Sequence, residues 1–501
     1  LGGGIPYRDF FDHHLPFAWY FAAILLKLSF GSYIGFRFLW ALIAFLSLLS
    51  LGVWIRRTLP DLYKYFLVFA VLYPLMGVYF WFHLYLADSL AVLFLSLSFW
   101  ILIVETMLAK RSLKVLGIAS FFTFSMIFSS LTYVYLGGVF YAWMFYLTGW
   151  KPRQLIKLLA ITLVPYFVFL LFLVLTGSWD EFYFSNVVYN TVHYISMPNF
   201  ERGVHFNPVK FAVTLFYNFY SNYVPLLMKI KEVNMYLPIG VLGGIGTLSL
   251  CVLLFARNVP LGFLYFAALS FSAPRSNVQL ANETDYQMSV FLVFGFISAL
   301  VALYLLQKVK THNIFIYDSR RVVQLALAFL LVFSVIPLAK NTYDKFYMRY
   351  TQKMPSIKDY SYASQFIDNL VGNNYFWYGP YEPDNEFFVK TARLPGKYPT
   401  LLPQFSEDEY MKTDFISQFE AHPPEIIIYK HDSSIFMRPA LQFGKFFLDW
   451  MNDKYTSVEN IKGVTVLRSP SEFNLGSDLY LLNKDESKLL QKLRDQSYIA
   501  Y

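Results

Sequence analysis

Thiols are almost absent from this chain: Cys251 stands alone. One cysteine excludes an intrachain disulfide, a disulfide framework and a Cys-rich metal centre. Within its apolar run Cys251 reads as a small lipid- or core-facing residue. Charge is scarce as well. Asp, Glu, Lys and Arg make up 15% of the residues, where a soluble chain of this length carries about a quarter. No internal repeat is visible at a solenoid or transporter period. The net charge of +8 would suggest nucleic acid only if the basic residues clustered. They lie mainly between apolar runs, which is a topology signal, so no nucleic-acid partner is expected.

What the chain has in quantity is apolar sequence, 56% of its residues. Runs of 18 or more residues recur, long enough to cross ~30 Å of hydrocarbon. Such spans must be helices, because lipid leaves backbone polar groups unsatisfied. The fold expected is therefore a polytopic α-helical membrane protein. Ten runs are predicted as spans, at about 36–55, 65–82, 87–106, 115–134, 136–149, 155–176, 236–256, 258–273, 287–306 and 323–339. Two of them, 136–149 and 258–273, are short for a full crossing and are kept because removing either one breaks the charge alternation. Basic connectors fall at Arg56–Arg57, at Lys110, Arg111 and Lys114, at Lys151, Arg153 and Lys157, at Arg257, and at Lys308 and Lys310 with Arg320 and Arg321. The other connectors are poor in Lys and Arg or long and mixed: the opening segment, His83–Asp88, Ser178–Tyr236 and Pro274–Tyr286. The two kinds alternate if the chain begins outside. The basic ones are then cytoplasmic and the rest face the other side. This arrangement carries the expectation of one further helix preceding Leu1.

From about Asn341 the composition turns to Tyr, Asp, Lys, Asn and Pro. Residues 1–340 are expected to form the membrane domain and 341–501 a small extracytoplasmic α/β domain. In the latter, Pro423–Lys430 and Gly463–Ser469 read as strands and Ala440–Tyr455 as an amphipathic helix. This domain is expected to be accessory. Its run Tyr375–Pro383 would suit stacking on sugars, but core and turn packing explain it more simply.

The chemistry gathers outside the runs. The string "PYRDFFDHHLPFAWY" places Arg8, Asp9, Asp12, His13 and His14 just before the apolar run Phe17–Phe30, which is too short for a span and reads as an interfacial helix. Ionisable groups crowded at a membrane interface are expensive without partners or a task. A carboxylate there can take a proton from a hydroxyl or hold a divalent cation. A neighbouring guanidinium or imidazolium suits a phosphate. The plain alternative is that these residues solvate the headgroup region and cap the next helix. A second connector brings His83 and Asp88, for which an N-cap is the simple role of the Asp. A third brings Arg275, Glu283, Asp285 and Tyr286. The long connector adds Asp180, Glu181, Tyr189, His193, Tyr194, Arg202 and His205, and its stretch Asn207–Ile230 reads as interfacial.

The string "PYRDFFDHHLPFAWY" resembles the first outer loop of the GT-C glycosyltransferases of the ArnT/PMT-like family. "LYLADSLAVLF" is similar to that family's second outer-loop motif. The resemblance covers about residues 1–340, and its specific part is the first motif. It departs from the family at His13–His14–Leu15–Pro16, where the family's string, of the type Y-R-D-F-F-[DE]-H-x-P-L, usually has Pro after the His. What the resemblance implies is a GT-C-like fold and an inverting transferase that uses a polyprenyl-phosphate sugar. Asp12, or its neighbour Asp9, would be the catalytic carboxylate. Arg8, His14 and Arg275 would bind phosphate, and His13, His83, Asp88 and Tyr286 would contribute to substrate binding. A glycan, lipid or protein of the cell envelope would be the acceptor, with membrane lipid as a further partner. No organic cofactor is expected, and a divalent cation is possible chemistry for the carboxylates. The location implied is the plasma (inner) membrane, multi-pass, with the site on the extracytoplasmic side. The rival classes are a multi-span transporter or lipid-linked sugar flippase, which would carry ionisable groups at mid-span, and a binding or assembly protein acting through its outer domain.

Overall fold

The computed structural model describes residues 4–109, 111–194, 207–228, 238–274, 285–308, 314–351, 361–380, 389–435 and 437–500. The chain is a mostly helical, multi-pass membrane protein with a small sheet-containing C-terminal region. Its membrane part comprises α1 (Phe17–Leu28), α2 (Tyr33–Thr58), α3 (Pro60–Tyr79), α4 (Ala87–Met107), α5 (Leu113–Ser129), α6 (Val134–Leu147) and α7 (Pro152–Leu175). There follow α8 (Trp179–Tyr183), a π-helical turn Phe184–Tyr194, α9 (Pro208–Met228), α10 (Ile239–Arg257), α11 (Val259–Phe271), α12 (Asp285–Lys308) and α13 (Ile314–Thr351).

All ten predicted runs are helical. Among the described residues seven helices are long and apolar enough to cross a membrane: α2, α3, α4, α7, α10, α12 and α13. The helices of the other three runs are shorter, with 17 residues in α5, 14 in α6 and 13 in α11. Run 115–134 was expected to span in full. Its helix instead stops at Ser129, and a short 3₁₀ turn, Leu131–Tyr133, leads into α6. The short apolar run Phe17–Phe30 forms the 12-residue helix α1. The stretch read as interfacial at Asn207–Ile230 forms α9, whose Phe219 packs against Phe266 of α11 and Phe291 of α12.

Burial separates the helices by role. The apolar windows of α4 and α12 are each 94% buried, whereas those of α7 and α13 are 17% buried. A helix apolar all round but bare on most of its surface is clothed by lipid. At the centre, α10 crosses α12 closely through small residues. A Cβ on Gly246 would stand 2.4 Å from the Cα of Ala299, and one on Gly295 would stand 3.1 Å from the Cα of Gly243. Lipid offers no hydrophobic drive for helix association, so such close van der Waals packing carries it. Buried hydroxyls add interhelical bonds, Ser98 to Thr123 and Ser120 to Thr162, both at 2.8 Å.

The helix of the last predicted span continues beyond Asn341. α13 runs on to Thr351, and the pair Lys340–Asp344, one helical turn apart, supports the extension. Beyond it lies a four-stranded sheet of β1 (Phe376–Gly379), β2 (Ile426–Tyr429), β3 (Tyr455–Ser457) and β4 (Leu479–Leu482), in the order β1-β2-β4-β3. β1 and β2 are parallel and the other pairings antiparallel. Strand alternation sends Phe376, Tyr378, Ile426 and Ile428 to one core and Trp377, Ile427 and Tyr429 to the other. Both faces are therefore covered. The expected strand Pro423–Lys430 is β2, and the run Tyr375–Pro383 contributes the wholly buried β1, so core packing accounts for its described residues. The expected strand at Gly463–Ser469 shrinks to Thr465–Val466, paired with Ile499–Ala500. The expected helix Ala440–Tyr455 is broken into Ala440–Phe443 and Lys445–Met451. The Tyr429 hydroxyl reaches in to bond the Ala440 carbonyl, and it occupies the space where a side chain on Gly444 would go.

Candidate functional site

The opening string folds into a compact loop at the end of the helices where the C-terminal region sits. Tyr7 closes it. Its backbone lies in the left-handed region (φ 71°), its ring is buried edge-on to Phe182, and its hydroxyl donates to the His14 carbonyl at 2.8 Å. A bulky side chain at positive φ costs on the order of 1–3 kcal/mol, and such strain persists where the surroundings impose it. Here burial of the ring and the hydroxyl bond impose it, with a bond from the Tyr7 N–H to the Phe10 carbonyl. Burial, then the nearby Asp12 charge, push the Tyr7 phenol pKa up, so it stays a neutral donor.

The loop divides its two carboxylates. Asp9 faces solvent and spends its oxygens on the Arg8 guanidinium, at 2.7 and 3.0 Å, and on the Ile5 N–H. The Arg8 bond first, and the Ile5 bond and Arg8 charge after it, hold the Asp9 carboxyl below the usual range. Arg8 also donates to the Thr176 carbonyl at the end of α7. Asp12 is buried, with 6% of its surface exposed. Its Oδ1 accepts both the backbone N–H and the ring Nδ1 of His14 at 2.8 Å, while its Oδ2 is buried without a hydrogen-bond partner. Burial is the largest influence on Asp12 and pushes its pKa up. The His14 bond and the charges of His14 and His13 outweigh it, so the carboxyl titrates below its ordinary value. Asp12 is thus an ionised, half-satisfied carboxylate held in a wall.

His14 is half-exposed. The His13 ring lies tilted against His14 at 4.0 Å and against Tyr194 at 4.7 Å, and its carbonyl accepts from Asn190. The π-helical turn supplies further buried polar atoms without hydrogen-bond partners, the Tyr189 hydroxyl and the Ser185 hydroxyl, while the Asn186 side chain lies against the Tyr7 phenol. Buried orphan polar atoms are rare and mark a place where a water, ion or ligand belongs. Ligand atoms of Asp12, His13 and His14 all lie within 4.8 Å of one another, so this trio could also hold a divalent cation after small side-chain rotations.

The C-terminal region is a wall of this site. Phe11, beside Asp12, inserts among Tyr398, Phe405 and Tyr189, and its N–H donates to the Lys397 carbonyl at 2.6 Å. Lys397, only 10% exposed, bridges Glu181 of α8 at 3.0 Å and Asp414 at 2.9 Å. Burial alone would lower the Lys397 pKa, but the two carboxylates outweigh it and raise it. The Tyr398 hydroxyl also bonds Asp414, and His193 approaches Asp408 at 3.7 Å.

The remaining expected site residues are placed less directly. His83 turns back onto α3, its Nδ1 2.9 Å from the Gly77 carbonyl; burial, helped by the charges of Arg37 and Lys345, lowers its pKa. Asp88 lies in the first turn of α4, but it is not the N-cap. That position is Leu86, and Asp88 instead accepts the Tyr133 hydroxyl at 2.7 Å, tying α4 to the turn between α5 and α6. Tyr286 and Asp285 begin α12. Arg275 and Glu283, like Arg202 and His205, lie outside the described residues. Sequence reasoning missed Tyr7, Asn186, Asn190 and Lys397 as parts of this site. Only Tyr7 had a local signal, its place within the string. Compared with models of protein families, with curated proteins and with solved structures, the chain finds no match in any of the three.

Proposed function

We propose that this protein is an integral-membrane glycosyltransferase that moves a sugar from a polyprenyl-phosphate donor to a cell-envelope acceptor on the extracytoplasmic face. The observation that carries the reading is Asp12, a buried carboxylate with one oxygen committed to His14 and the other without a partner. It stands in a string that resembles the first outer loop of the ArnT/PMT-like enzymes. An acceptor hydroxyl has a high pKa and needs a base within hydrogen-bond reach as it attacks. The acceptor oxygen bonds the anomeric carbon, the bond from that carbon to the phosphate oxygen breaks, and the Asp12–His14 pair takes the acceptor's proton. Negative charge on Asp12 also favours the oxocarbenium-like centre. Arg8 is the phosphate-binding group within reach of the loop, shared with Asp9 and Thr176 in this structure. Stabilising the departing phosphate by such a preplaced cation is electrostatic catalysis.

The position of buried acids favours an enzyme over a carrier. Asp88 and Glu105, the acids buried along α4, lie in its first and last turns and not at mid-span, where ion and substrate pathways place them. The test is transfer of sugar from a polyprenyl-phosphate donor by purified protein, comparing the wild type with Asp12→Asn. Asn keeps the size and removes the base, so turnover should fall at least ~100-fold. Near-normal transfer by a folded Asp12→Asn protein would sink the mechanism.

A further inference from the structure

At the opposite end of the membrane part a second feature stands apart from the Asp12 loop. A cavity of about 230 Å³ opens between the ends of α5, α6 and α7. Arg111, Arg153 and Lys157 line its polar side, and Leu113, Leu116 and Leu147 its apolar side. Among the described residues no acid lines it. Glu105, buried behind it, accepts the Ser112 N–H and feels the charge of Arg111. Arg111 is fixed by donating to the Leu147 carbonyl at 3.0 Å, at the C-terminal end of α6, which leaves most of its five donors to the cavity. Among the described residues Arg153 and Lys157 have no ion-pair partner. They sit one turn apart at the start of α7, where the helix dipole disfavours cations. Both side chains are exposed, so an anion can reach them.

The leucines of the cavity lie beside the lipid-exposed flank of α7. Basic recesses between helices on the positive-inside face suit anionic lipid headgroups.

We propose that this cavity binds the phosphate headgroup of an anionic phospholipid from the leaflet facing the basic connectors. The leucines take the start of the acyl chains, and Arg111, Arg153 and Lys157 take the phosphate. A free phosphate ion shares the chemistry of the headgroup but makes no use of the leucines. The proposal is independent of the transferase reading.

Native mass spectrometry of the detergent-purified chain, with phosphatidylglycerol, phosphatidylcholine and inorganic phosphate as separate additions, tests it. Phosphatidylglycerol should be retained at least ~10-fold more tightly than phosphatidylcholine, and millimolar phosphate should not displace it. Each cation contributes roughly fivefold, so Arg153→Gln with Lys157→Gln should remove the preference. Arg56→Gln with Arg57→Gln, at the same membrane face but outside the cavity, should leave it intact. Equal loss in both double variants, or displacement by free phosphate, overturns the lipid site. If the first double variant is not recovered folded, Lys157→Gln alone is read against the fivefold expectation, and an unchanged preference overturns the proposal.

Discussion

The N–H of Phe11 donates to the carbonyl of Lys397 at 2.6 Å, which pins the residue before Asp12 to the C-terminal region. The Phe11 ring continues the attachment, lying 5.5 Å from both Tyr398 and Phe405. Asp12 therefore takes its position from a region that begins after the last span. Phe11→Ala should cost about 3 kcal/mol, the usual loss for a buried Phe, and loosen the contact. A loop displaced by about 1 Å is enough to cost ~100-fold in turnover, so transfer should drop steeply with donor binding largely kept. Limited proteolysis should cut the C-terminal region sooner, and Phe11→Leu should restore most of both properties. Unchanged transfer by Phe11→Ala would mean that the region is accessory to the chemical step, as expected from the sequence.

The two aspartates of the loop make separable predictions. Asp9 is exposed and satisfied by Arg8 and the Ile5 N–H. Asp9→Asn should weaken a surface ion pair worth ~0–1 kcal/mol and reduce transfer less than tenfold. Asp12→Asn carries the large loss. Side-by-side turnover of the two variants reads the difference, and a larger loss in Asp9→Asn would move the catalytic carboxylate to the other residue.

What could be read in advance follows from the range of the forces involved. The spans were legible because lipid imposes a local demand, a long apolar run, on each helix. The loop's ionisable groups were legible because charge beside a membrane is costly wherever it lies. The role of Phe11 was not, since an aromatic next to Asp12 has the same local signature whether it faces lipid or a distant sheet. Lys397, in "RLPGKYPT", gives no sign that it will meet Glu181. The partition between Asp9 and Asp12 also needed coordinates. Both stand in one string, and only folding gives one to Arg8 and the other to His14. The break at Gly444 is similar: the apolar pattern runs on, and the Tyr429 hydroxyl, placed by the sheet, interrupts it.

Lys397 should behave as the electrostatic clasp between the C-terminal region and α8. Lys397→Met removes the cation and leaves Glu181 and Asp414 facing it unpaired. A fully buried pair costs ~3–5 kcal/mol to break. Glu181 remains 35% exposed, so about 2 kcal/mol is expected here. The pH dependence has a definite sign. The Lys397 pKa is raised above its ordinary 10.5. Its contribution is then fully present below that value and lost as pH rises through the higher folded pKa. Protease sensitivity of the C-terminal region should therefore increase in strong alkali in the wild type, and Lys397→Met should show the increase already at neutral pH. A variant as resistant as the wild type at pH 7 would remove the clasp from the account.

The orphan Oδ2 of Asp12 makes a last prediction, about metal. Three ligand atoms within 4.8 Å, one on a buried carboxylate and two on imidazoles, fit the donor set of a zinc-type ion with an open fourth position. Bond lengths near 2.0–2.2 Å set tetrahedral ligand spacings of ~3.4 Å. The 2.8 Å contact between Asp12 and His14 would then open slightly and the widest pair would close. Calorimetric titration of Zn²⁺ into metal-stripped protein should show one equivalent per chain. Asp12→Asn and His14→Gln should each abolish it, whereas Asp9→Asn should not, because Asp9 is engaged with Arg8 on the surface. Retained stoichiometry in His14→Gln would place the ion elsewhere. No binding to the wild type would leave Asp12 and His14 as a carboxylate–imidazole pair that works without metal, with the orphan oxygen facing the acceptor hydroxyl instead.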